Sequence, residues 1–277
     1  MIMNKRLISI LAVSLTLFLM ISTASAENTF DFFSSDGTNT ENTDDKFIMG
    51  FNSGFPPFEY TDDNGNYTGF DIALAKEVCK RNNWTFVPLE IIDWNTKELE
   101  LNSNEIDCIW SGFTINGREN NYAWSEPYFN NTPVVIVKSD SNINSFNDLK
   151  GKPVETQQGT SAFETIKNDT SLKDNFNEIT EVDNYDTALL DLDAGICDAV
   201  ILDYGIANYL VVEKYPNCKI LNESISDEQY GIGFKKENTD LRDQVQKTLD
   251  EMFKDGTVDK IAQNYSKYNL PERVIHP

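Results

Sequence analysis

From Phe47 onward, short apolar runs alternate with longer segments of helical periodicity, and that alternation restricts the chain to an α/β architecture. Strands are expected at 47–51, 84–89, 107–110, 134–138, 153–156, 198–202 and 231–234. Between them, Ile72, Ala75, Val78 and Cys79 recur at helical spacing over 71–81, and Ala188, Leu189 and Leu192 do so between Asn184 and Gly195, a residue suited to a left-handed cap. Thr239 is the expected cap of a further helix whose stripe is Leu241, Val245, Leu249, Met252 and Phe253. Those stripes read as core.

Residues 1–26 have the layout of a cleaved secretory signal: Lys5 and Arg6, an apolar run from Leu7 to Ile21, then the small-residue site Ala24-Ser25-Ala26. No cysteine follows the run, so no lipid anchor is indicated. Residues 27–45 are polar and read as a disordered linker. About 250 remaining residues exceed what one hydrophobic core usually organises, which favours two lobes. The net charge of -22 excludes nucleic acid as a partner. Cys79, Cys108, Cys197 and Cys218 match no metal-ligand spacing, and packed free thiols compete with Cys79–Cys108 and Cys197–Cys218 bridges.

Catalytic apparatus is hard to assemble. The one histidine, His276, is next to the last residue, which removes histidine-based triads and metal centres. Neither a P-loop nor a Gly-x-Gly-x-x-Gly run occurs, so no cofactor is implied. What does stand out is a set of loops after the strands, where α/β sheets collect ligands. Asn52 to Tyr60 is a loop stiffened by Pro56 and Pro57 and carrying Phe55 and Phe58, the latter read as buried. Trp94 offers a flat ring that serves a ligand or the core equally well. Arg118 ends the run Ser111-Gly112-Phe113-Thr114-Ile115-Asn116-Gly117 and is read as a carboxylate fork. Gln157 to Ser161 closes a strand and opens a helix, where amide groups and the Thr160 and Ser161 hydroxyls suit an anion. Asp203 ends an apolar strand, placed either to accept from an ammonium or to cap the helix from Tyr204 to Tyr215.

Taken in order, these segments resemble the polar amino acid family of ABC-transporter solute-binding proteins. The resemblance covers about residues 46–268 and rests on Phe55-Pro56-Pro57-Phe58-Glu59, Gly69-Phe70-Asp71-Ile72, Gly112-Phe113-Thr114-Ile115, Arg118, Ser125-Glu126-Pro127-Tyr128, Gly159-Thr160, Asp203 and Tyr230-Gly231-Ile232-Gly233-Phe234. It implies a periplasmic-binding-protein-like fold of two Rossmann-like lobes, 46–132 plus 232–277 and 133–231, joined by two hinge strands that let the lobes close on ligand. It further implies that Arg118, Thr114 and main chain near Gly112 hold an amino acid's α-carboxylate, joined by Thr160 and Ser161. Asp203 would take the α-ammonium, and Phe55 and Trp94 would flank the side chain.

Two departures bear on this. The Thr114-to-Arg118 loop is one residue shorter than is usual in the family, with Gly117 placed to absorb the difference. Neutral Asn52 stands where relatives for cationic side chains place an aspartate, and neutral Gln157 where some relatives carry lysine, so a ligand with an uncharged side chain is expected, since an unpaired buried charge is costly. The implied protein is a monomer that delivers its ligand to an ABC-transporter permease outside the cytoplasm. The alternatives are a cyclohexadienyl dehydratase-like enzyme on the same fold, for which no acid or base is evident, and a ligand-sensing domain.

Overall fold

The computed structural model describes residues 45–176 and 178–277. The signal expected over 1–26, and the linker apart from Asp45, lie outside the described residues. The strands are β1 (Lys46–Phe51), β2 (Tyr60–Thr61), β3 (Tyr67–Thr68), β4 (Thr85–Glu90), β5 (Cys108–Ile109), β6 (Ala123–Trp124), β7 (Phe129–Asn131), β8 (Pro133–Lys138), β9 (Val154–Gln157), β10 (Ile179–Val182), β11 (Ala199–Asp203), β12 (Cys218–Ser224), β13 (Glu228–Tyr230) and β14 (Gly233–Phe234). The helices are α1 (Phe70–Asn82), α2 (Lys97–Asn102), α3 (Ser161–Asn168), α4 (Thr170–Lys173), α5 (Tyr185–Ala194), α6 (Tyr204–Glu213), α7 (Thr239–Lys254) and α8 (Thr257–Gln263).

Every expected strand overlaps an observed one. The expected helix boundaries also hold within a few residues, with instructive exceptions at the caps. Asn184 caps α5 by accepting from the Thr187 N–H, and Gly195 ends that helix at φ 74. Thr239 is instead the first residue of α7, with Asn238 at the cap position. Asp203 occupies the cap position of α6 but makes no side-chain cap bond, which leaves its carboxylate for other partners.

Two five-stranded sheets form the two lobes, in the orders β4-β1-β5-β14-β6 and β10-β9-β11-β8-β12. In the first, β1 lies parallel to both β4 and β5. In the second, β9 lies parallel to both β10 and β11. Each of these central strands is therefore a switch point, where the chain leaves first to one side and later to the other and opens a crevice at the strand's carboxyl end. Asn52 follows β1, and Gln157 is the last residue of β9. Between the sheets run β7 and β13, paired antiparallel with Asn131 opposite Glu228 and Phe129 opposite Tyr230.

The apolar core is continuous past this strand pair. Phe58 is fully buried, as its sequence context predicts, and its ring meets Phe55, Phe70, Phe129 and Tyr230 at centroid distances of 5.1–6.2 Å. All four cysteines are buried free thiols. Burial pushes Cys79 and Cys197 up to about 12, so they pack as small hydrophobes and not as nucleophiles.

Candidate functional site

The carboxyl ends of β1 and β9 face one another across a cleft of about 390 Å³. All ten residues singled out from the sequence line it: Asn52, Phe55, Trp94, Gly112, Thr114, Arg118, Gln157, Thr160, Ser161 and Asp203, together with Ser111, Phe113, Gly159 and Tyr185.

Arg118 is placed by a tight turn. Its N–H donates to the Ile115 carbonyl at 2.8 Å, and Gly117 within that turn has φ 81, a conformation that favours glycine. This is how the shortened loop closes. The guanidinium lies 5.0 Å from the Phe113 ring centroid. Its Nη1 donates to the Thr114 carbonyl and its Nη2 crosses to the Gly159 carbonyl, both at 3.2 Å. A guanidinium carries five N–H donors, so others remain for a carboxylate.

Gly112 has φ 48, and a Cβ there would lie 2.4 Å from the Phe55 ring, so only glycine permits this approach of loop and aromatic side chain. Its N–H donates to Asp71 Oδ2 at 2.9 Å. That amide is engaged within the protein. The buried anion beneath it is shared. Glu59 and Asp71 are both fully buried and lie against one another. Glu59 Oε1 and Asp71 Oδ1 have no donor among the described residues, whereas Asp71 Oδ2 also accepts from Tyr128 Oη at 2.7 Å. Burial, then the neighbouring Asp71, holds Glu59 well above the usual carboxylate range, and burial raises Asp71 as well. One proton between the two carboxyls accounts for both observations. Ser111 connects this pair to the cleft: its hydroxyl donates to Glu59 Oε2 at 3.2 Å and accepts from the Asn52 N–H at 3.1 Å.

The opposite wall is the start of α3. Thr160 holds the cap position without a side-chain cap bond, which leaves the first amide groups of the helix without a side-chain partner from that residue. Ser161 Oγ reaches Glu228 Oε2 at 2.9 Å and lies 3.3 Å from Thr114 Oγ1 in the other lobe. Asp203 accepts a short hydrogen bond from Asn131 Nδ2. Burial, then the charge of Glu228, raises the Asp203 carboxyl to about 7, against the opposing effects of Asn131 and Arg118.

Phe55 and Trp94 are each only 8% exposed. Trp94 meets Phe113 edge-on at 5.9 Å, so it serves the core and the cleft wall together. The Asn52 carbonyl oxygen is taken by the Gly54 N–H at 2.9 Å, which leaves the amino end of that amide as the group it offers.

Two charged residues escaped the sequence reading. Glu228 on β13 is buried and accepts from Thr114 Oγ1 at 2.8 Å, Ser161 Oγ at 2.9 Å and Asn131 Nδ2 at 3.2 Å. Its only sequence signal is adjacency to the Tyr230-Gly231 motif. Lys97 on α2 is 5% exposed, donates to the Trp94 carbonyl at 3.1 Å and lies 5.2 Å from that indole. Burial, then the charge of Arg118, lowers its ammonium to about 8. In sequence it reads as an ordinary exposed helical lysine.

Among the described residues no His, Cys, Asp and Glu cluster has the arrangement of a metal site, and no helix is long and apolar enough to cross a membrane.

The chain is similar over 95% of its length to 95% of the L-cystine-binding protein TcyJ of Escherichia coli, at 26% identity. It is 32% identical to the histidine-binding periplasmic protein of the same organism over 80% of this chain and 88% of that one. A solved ABC uptake transporter substrate-binding protein from Streptococcus pneumoniae with bound histidine superposes with a TM-score of 0.76 at 30% identity, covering 80% of this chain and 92% of that one. These relatives are binding proteins and not enzymes. With the family model matching residues 47–268, the chain belongs to the bacterial extracellular solute-binding proteins, family 3.

Proposed function

We propose that this protein captures a free amino acid between two closing lobes outside the cytoplasm and delivers it to an ABC-transporter permease. The observation that carries the reading is the placement of Arg118 on one lobe and Asp203 on the other, both lining one cleft. A zwitterion then meets an opposite charge at each end. Two charge-assisted contacts at roughly 1.5–3 kcal/mol each fall short of the about 8 kcal/mol of micromolar binding, so aromatic burial and lobe closure supply the remainder.

In this reading the lobes are 46–132 plus 232–277 and 133–231, and β7 and β13 serve as the hinge. Arg118, Thr160 and the first amides of α3 hold the α-carboxylate. Asp203 takes the ammonium, and Phe55 and Trp94 flank the side chain. Asn52 and Gln157, at the two switch points, favour an uncharged side chain. The relatives named for cystine and histidine support the amino acid class. The protein acts as a monomer.

The test is calorimetric titration of the purified protein, stripped of ligand by unfolding and refolding, against the common L-amino acids and cystine. Submicromolar to micromolar binding of one of them, lost in Arg118→Ala, is the expected result. Tightest binding of arginine or lysine would refute the role given to Asn52 and Gln157 while leaving the class intact. Binding of none would refute the class.

A further inference from the structure

Lys97 is a buried cation that the amino acid site as described does not use. It is the first residue of α2, where the helix dipole disfavours positive charge, and it is 5% exposed. Its ammonium donates to the Trp94 carbonyl at 3.1 Å and forms no ion pair within 4.0 Å among the described residues. The two acids whose charge it feels are engaged elsewhere: Asp93 Oδ1 accepts from the Asn95 N–H at 3.0 Å, and Glu98 Oε1 accepts from Tyr122 Oη at 2.7 Å.

What closes over this cation belongs to the opposite lobe. Gly159, at φ 69, lies so near that a Cβ on it would be 3.6 Å from Lys97 Nζ and 2.9 Å from Asn95 Oδ1. The carbonyl of the same glycine accepts from Arg118 Nη2 at 3.2 Å. Two cations of one lobe therefore meet a single loop of the other, and the charge of Arg118 adds to burial in disfavouring the Lys97 ammonium.

We propose that Lys97 is a charge brake on closure: bringing Gly159 down buries its ammonium without a carboxylate partner, so the lobes meet fully only around a ligand that carries negative charge at this end of the cleft. This rests on the amino acid reading above. Lys97 is not among the residues lining the cleft, so it acts on the closing loop and not by touching the ligand. In an open protein water solvates the ammonium, and closure removes that water at a cost no protein group repays. A carboxylate held at Arg118 cancels the positive charge that Lys97 faces. A neutral carboxamide there cancels none of it. The brake thus penalises both an empty closed protein and a ligand without the carboxylate.

The experiment compares the full protein with Lys97→Met, which keeps the apolar stem, and Lys97→Gln, which keeps a donor for the Trp94 carbonyl; both remove the charge. Small-angle X-ray scattering gives the radius of gyration without ligand. Calorimetry gives the dissociation constants of the tightest-binding amino acid of the panel and of its carboxamide, and melting temperature monitors folding, so either variant alone suffices if the other does not fold. In both variants the ligand-free radius should fall towards that of amino-acid-bound wild type. The carboxamide should gain at least about tenfold in affinity while the amino acid stays within about threefold, because relief of the brake is offset only where a carboxylate had profited from Lys97. A ligand-free radius unchanged from wild type overturns the proposal. So does weakening of the amino acid with no change for the carboxamide, the mark of a direct carboxylate contact. An effect in Lys97→Met that Lys97→Gln does not share also overturns it, since the lost hydrogen bond and not the charge would then be responsible. Failure of wild type to bind any amino acid overturns the reading on which the proposal rests, and the ligand-free radii still decide the brake.

Discussion

If Asp203 takes the ligand's ammonium as proposed, amino acid affinity depends on pH in a direction that can be worked out beforehand. Its carboxyl is raised to about 7 by burial and by Glu228. An ammonium is attracted to the ionised form, so below pH 7 the ligand competes with a proton. Linkage then gives a loss that approaches about tenfold per pH unit, reaching about 50-fold between pH 7 and pH 5. Lys97, lowered to about 8 chiefly by burial, titrates at the upper edge of this window. Tyr185 and Tyr230 are pushed well above 10, chiefly by burial, and stay protonated throughout.

Calorimetry at pH 5, 6, 7 and 8 measures the loss directly. Repeating the pH 6 titration in buffers of different ionisation enthalpy counts protons, and close to one should leave the protein per ligand bound. Asp203→Asn should flatten the pH profile and release none. At pH 8 it should bind about 10- to 150-fold more weakly than wild type, from loss of a charge-assisted hydrogen bond of about 1.5–3 kcal/mol. A wild-type affinity that stays constant from pH 5 to pH 8, without proton release, would refute the reasoning.

Arg118→Lys keeps the charge but cannot reproduce the fork, and it should weaken the amino acid by at least about tenfold in the same assay. Gly112→Ala forces a Cβ to within 2.4 Å of Phe55 at φ 48; urea denaturation should show a loss of about 1–3 kcal/mol together with loss of binding. Glu59→Gln concerns stability. A carboxyl raised in the folded state holds a proton that the unfolded chain gives up above about pH 4.5, so its stabilising contribution is present at low pH and lost as pH rises. Urea midpoints between pH 5 and pH 9 should fall less steeply in the variant than in wild type. The four cysteines should be unreactive to a thiol reagent in native buffer, and all four should react in guanidinium.

The parts of this molecule legible in its sequence are those governed by local rules. The buried strands β1, β8 and β11 announce themselves as runs of Val, Ile and Phe, and α5 carries its own cap at each end. The short strands β6, β7 and β13 escaped because two or three residues give no periodicity, and their extended conformation follows from pairing partners distant in sequence. The same physics hid Glu228. One acid among 45 Asp and Glu residues has no distinguishing neighbours until β7 and β13 set it beside Asn131. The partner of the Gly112 N–H was hidden for a related reason: Asp71 lies 41 positions away and meets it only in the fold.

Asn131 and Glu228 belong to the very strands that connect the lobes, whereas Asp93 and Gln158, 3.4 Å apart, meet from the two lobes at an exposed edge. The charged end of the site therefore sits beside the connecting strands, and the Asp93–Gln158 contact lies at the exposed rim. A lever loaded beside its fulcrum trades force for travel. If the lobes close as proposed, small adjustments where charge is matched become large displacements at the rim, while an oversized side chain farther out obstructs the last increment of the stroke with little force. Charge and bulk are thus weighed on different arms of one balance.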